Sequence, residues 1–94
     1  MGLVYHVDGT TERITPANGS KFTLEELRPI VGGWLEAVYL PWPMYDRLHN
    51  GVPGFLLVND EGRLTGLPHN PGASLLAGQN IVGPAVLTNK DEFD

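Results

Sequence analysis

The mainly apolar run from Leu3 to Val7, with Leu3, Tyr5 and Val7 on one face and Val4 and His6 on the other, predicts a strand. Asp8-Gly9 supplies a hairpin turn, and Thr10 to Thr15 is the returning partner. Pro16-Ala17-Asn18-Gly19 then interrupts the pattern. From Thr23 the period changes. Thr23-Leu24-Glu25-Glu26 has the form of a capping box, and Leu24, Leu27, Ile30 and Val31 recur at helical spacing until Gly32-Gly33 offers a left-handed stop. A helix of about two turns follows, with Pro29 removing one of its donors. Trp34 to Leu40 carries only Glu36 as a charge and reads as a well-buried strand inside a sheet.

Residues 41–54 break every period, because three prolines and two glycines fit neither a central strand nor a long helix. They form a long loop. Phe55 to Val58 resumes a strand, Asn59-Asp60-Glu61-Gly62 makes a tight turn, and Arg63 to Thr65 returns as a short partner in a second hairpin. Asn70 has the character of an N-cap with Pro71 at the first helical position, and the helix runs to Gly78. Ile81 to Leu87, interrupted by Gly83-Pro84, is the last strand. The order predicts an α+β fold: a small, mostly antiparallel sheet of five to six strands with two short helices packed on one face. Residues 1–88 form a single compact domain, and 89–94 form an acidic tail that frays.

Composition narrows the functions open to such a domain. Eleven acidic against six basic residues give a net charge of -5, which repels the phosphate backbone of a nucleic acid. Three of those acids sit in the last four residues, so no dense acidic face imitates DNA either. Without cysteine, disulfides, thiolate ligands and thiol nucleophiles are all excluded, and burial alone must hold the fold. No apolar run approaches the ~18 residues of a membrane span, and the first residues lack the basic and apolar regions of an export signal.

Four blocks have a familiar order: Leu24-Glu25-Glu26-Leu27 through Val31-Gly32-Gly33, Val58-Asn59-Asp60-Glu61-Gly62, Gly66-Leu67-Pro68-His69-Asn70, and Ile81-Val82-Gly83-Pro84-Ala85-Val86-Leu87. Together they resemble a small family of domains of unknown function found in bacteriophages and other mobile elements. The similarity spans about Phe22 to Leu87. It implies a phage-encoded accessory protein in the cytoplasm of an infected bacterium, a class rich in proteins that bind host factors or blunt defences. Pro29 and the long aromatic 41–54 loop depart from the family pattern.

Catalytic groups are sparse. His6, His49 and His69 are widely separated, with no ligand pair at metal-binding spacing, and neither Ser20 nor Ser74 lies in a nucleophile elbow. Ser74 is expected to face outward from the second helix. Asp60-Glu61 before Gly62 is ordinary turn chemistry. No enzyme activity, metal or cofactor is implied. The more informative set is Trp42, Met44, Tyr45, Arg47 and Leu48, because aromatic residues, Met and Arg concentrate at the centres of protein interfaces. The leading expectation is a non-catalytic protein that inhibits or redirects a host bacterial protein through this loop. The alternative is a module sequestering a small anionic nucleotide at the second helix N-terminus, where His69, Asn70 and Gly72 lie. Edge strands of so small a sheet also favour a homodimer.

Overall fold

The structure, a computed structural model, describes residues 2–40, 54–62, 64–89 and 93. Its elements are β1 (Gly2–Tyr5), β2 (Thr11–Ile14), α1 (Leu24–Val31), β3 (Leu35–Tyr39), β4 (Gly54–Asn59), α2 (Pro71–Ala77) and β5 (Ala85–Asn89). The five strands make one sheet in the order β2-β1-β5-β4-β3, with every neighbouring pair antiparallel. The α+β class and the mostly antiparallel sheet are those expected from the sequence.

Local chemistry explains where each element starts and stops. In the β1–β2 hairpin, Gly9 takes φ 91° and the His6 N–H donates to the Thr10 carbonyl. The Thr10 hydroxyl and N–H both donate to Asp8, holding its carboxyl below the usual range. The α1 capping box is complete: the Glu26 N–H donates to Thr23 Oγ1, and the Thr23 N–H donates to Glu26 Oε1 at 2.8 Å. The other Glu26 oxygen accepts from the Ala17 N–H at 3.0 Å and ties the preceding turn to the helix. Gly32 ends α1 in the left-handed conformation.

The two helices lie on opposite faces of the sheet, which corrects the one-face expectation. Alternate residues of the central strands separate into two cores. Phe55, Leu57 and Val86 join Val4, Phe22 and the α1 residues Leu27 and Val31. Leu56, Val58, Ala85 and Leu87 join Ala73 and Ala77 of α2. The physical reason is legible in β4 and β5: Phe55-Leu56-Leu57-Val58 and Ala85-Val86-Leu87 are continuous apolar runs, which need cover on both sides. A sheet with one solvated face would have alternated.

Three further expectations change. The strand read as interior is β3, an edge strand, with Trp34 and Tyr39 exposed at 56% and 67%. The second hairpin does not form as expected, because β4 pairs with β3 and β5 while Leu64 to Gly66 is a turn. Arg63 lies outside the described residues. The supposed tail is tied at two positions: the backbone of Asn89 pairs with Gly54, and Phe93 bridges to Phe22 and packs its ring edge-on against Phe55 at 6.4 Å.

Candidate functional site

The sequence blocks around α1 and β4 meet in space. Asn59, at the end of β4, donates from Nδ2 to the Val31 carbonyl at 3.2 Å and accepts from the Glu61 N–H at 2.8 Å. A Cβ on Gly33 would stand 2.9 Å from that amide nitrogen, so a side chain there would push the Asn59 amide away from Val31. Beyond this clasp, the Asp60 N–H donates to the Trp34 carbonyl and starts the β3–β4 ladder. Above the end of α1, the Arg28 guanidinium lies 3.8 Å from the centre of the Trp34 ring, a cation–π contact beside the negative end of the helix.

On the α2 side of the same hairpin lies an open groove of about 490 Å³. Val38, Val58 and Ile81 give it an apolar floor, while Glu36 and Asp60 supply carboxylates and Gln79 an amide. Leu64 borders it and is 87% exposed. Among the described residues, no group of three His, Asp or Glu side chains could hold a metal ion.

Trp42, Met44, Tyr45, Arg47 and Leu48 lie outside the described residues. Their attachment points are defined: the Leu40 N–H donates to the Gly54 carbonyl, so the 41–53 segment leaves and re-enters at one end of the β3–β4 hairpin. This is the end that carries Tyr39, whose ring meets Phe55 edge-on at 5.5 Å.

His69, Asn70 and Gly72 are brought together at the start of α2, where they serve packing. Asn70 is fully buried. Its Oδ1 accepts from the Ala73 N–H, and its Nδ2 donates to the carbonyls of Tyr5 at 2.8 Å and Gly83 at 2.9 Å. Its backbone adds bonds to Ile81 and Ser74. Pro71 has no N–H, so the donors that an anion would seek at this helix start are largely committed. His69 Nδ1 stands 2.7 Å from Asn80 Oδ1, and the His69 backbone bridges to Val82. A Cβ on Gly72 would come within 3.0 Å of the Tyr5 ring. Ser74, expected to face outward, instead exchanges hydrogen bonds with the backbone of Ile81.

Sequence reading missed Trp34, Tyr39 and Leu64 as exposed apolar positions. A signal was present for Tyr39: β3 carries a charge at its second position, whereas no charge interrupts β4 or β5. No helix among the described residues is long and apolar enough to cross a membrane. No curated protein matches the chain, and neither does any solved structure. A family model does match, covering residues 2–94, and the chain therefore belongs to the DUF3846 family, a domain of unknown function.

Proposed function

We propose that this chain is a non-catalytic recognition module whose β3–β4 hairpin and adjoining groove bind another protein. The observation that supports the reading is the concentration of exposed apolar side chains around one hairpin: Tyr39 and Leu64, 67% and 87% exposed, line a groove with an apolar floor, and Trp34, 56% exposed, precedes β3 with its ring against Arg28. The segment carrying Trp42, Met44, Tyr45, Arg47 and Leu48 is attached to the same hairpin. In the proposed setting the chain is a bacteriophage accessory protein in an infected bacterium, and the partner is a host protein that it inhibits or redirects.

The test compares affinity capture from bacterial lysate by four forms of the chain. Wild type and a Glu25→Arg control on exposed α1 should retain one saturable partner. Glu36→Arg with Leu64→Asp should lose it, as should Trp42→Ala with Tyr45→Ala. The reading fails if both double variants, folded by circular dichroism, retain the same partner with unchanged affinity.

A further inference from the structure

We propose that the chain forms a two-fold dimer by antiparallel pairing of β3 with β3 of a second copy, in a register centred on Ala37. The hydrogen-bond phase of the strand sets this up. Leu40 bonds to Gly54 and Trp34 accepts from Asp60, so the even-numbered residues of β3 direct their N–H and C=O groups toward β4. Leu35, Ala37 and Tyr39 therefore direct theirs away from the sheet, along an edge that no described strand covers.

The two edges of the sheet differ in how they meet solvent. At the other edge, β2 reads Thr-Glu-Arg-Ile, with two adjacent charges and three exposed residues. That is the usual guard against strand addition. β3 carries one charge, Glu36, flanked by Leu35, Ala37, Val38 and Tyr39. Its free edge is a template for another strand.

The sequence of β3 selects a second copy in one register. Antiparallel pairing about a two-fold axis must match odd residues with odd residues, because only those have free backbone groups. Centring on Glu36 would set two carboxylates directly opposite each other, a repulsive pair. Centring on Val38 would leave Leu35 without a partner inside the strand. Centring on Ala37 pairs Leu35 with Tyr39, Ala37 with Ala37 and Tyr39 with Leu35, so every free group within the strand finds a partner. On the α1 face, Leu35 then packs beside the exposed Tyr39 ring, with the small Ala37 pair between the two contacts. On the α2 face Glu36 lies opposite Val38.

An axis normal to the sheet keeps like faces together. The two grooves bordered by Glu36 and Val38 then adjoin across the new strand pair, and each is extended by the other copy. The pairing itself depends on the strand edge alone and stands whether or not the groove binds a partner.

Sedimentation and light scattering of the full chain, followed from low concentration to the solubility limit, should give twice the 10.2 kDa mass of a single chain. Ala37→Pro should return the single-chain mass with unchanged far-ultraviolet circular dichroism, because the N–H it removes points away from β4. Ala37→Lys, which sets two ammonium groups opposite each other, gives the same readout without a backbone restraint. The chain has no native cysteine, so single-cysteine variants report the register under mild oxidation of two thiols to a disulfide. Ala37→Cys should cross-link, with facing Cα atoms about 5.5 Å apart. Glu36→Cys should not, because its self-distance is a diagonal of about 7–8 Å. A single-chain mass at every concentration overturns the proposal. So does a double mass that survives both Ala37 substitutions, or equal cross-linking from positions 36 and 37.

Discussion

Asn70→Ala is expected to be among the most damaging single substitutions in this chain. The side chain is completely buried, and its three hydrogen bonds join β1, the start of α2 and the approach to β5. Loss of the N-cap acceptor costs about 1 kcal/mol. Each of the Tyr5 and Gly83 carbonyls left without its amide donor adds about 1–2 kcal/mol, for a total near 3–5 kcal/mol. A chain of this length has only about 5–14 kcal/mol of stability, so about a fifth of it or more is at stake. The melting temperature should fall by about 15–30 °C. Asn70→Ser separates the contributions, since it keeps a capping oxygen but loses both donors. It should still lose about 2–4 kcal/mol in urea titration, whereas a role confined to capping predicts a few tenths. A loss below about 1 kcal/mol for Asn70→Ala would refute the assignment of Asn70 as the joint between these segments.

Other expectations follow from single contacts. Gly83→Ala places a Cβ 2.7 Å from Leu67 Cδ1 at φ 76°, whereas Gly78→Ala meets open space at φ 70°. The first should cost about 2–3 kcal/mol and the second about 1 kcal/mol, compared by chemical denaturation. Glu26→Ala removes the acceptor for both the Thr23 and Ala17 N–H groups and should cost about 1–2 kcal/mol, with earlier amide exchange at the start of α1. Burial raises the Tyr5 phenol above its ordinary value of 10.0, so the unfolded chain ionises first as pH rises. The stability this group contributes is whole below pH 10.0 and declines as pH climbs toward the higher folded value. Tyr5→Phe should therefore flatten the alkaline limb of a stability–pH curve, and an unchanged limb would assign it to other groups.

Local signals in the sequence located most elements because each carries its own boundary chemistry. Thr23 with Glu26, Asn70 with Pro71, and the left-handed glycines 32 and 78 mark both helices within a residue of where they lie. Tertiary placement was harder to read. Whether α1 and α2 share a face depends on the central strands being apolar at every position, a property of β4 and β5 and not of either helix. β3 looked interior because Trp34 and Tyr39 are apolar in type, yet side-chain type does not reveal whether a strand has one neighbour or two. Arg63 to Thr65 resembled a hairpin return, but β4 already had β3 and β5 as partners. For the candidate site, Asn70 and Gly72 drew attention as a ligand position through the same features that make them a joint. The groove was not legible, since it depends on Leu64, Val38 and Ile81 arriving from three distant segments.

β5 sits at the middle of the sheet although, of the five described strands, it is the last to be synthesised. Until residues 85–89 have left the ribosome, the β1–β2 hairpin and the β3–β4 hairpin have no common neighbour, and both halves of the chain present unpaired, greasy edges to the cell. The native sheet becomes available only when β5 arrives. The interval before it does is when this protein is most exposed to misassembly, and when a holding chaperone has the most surface to grip.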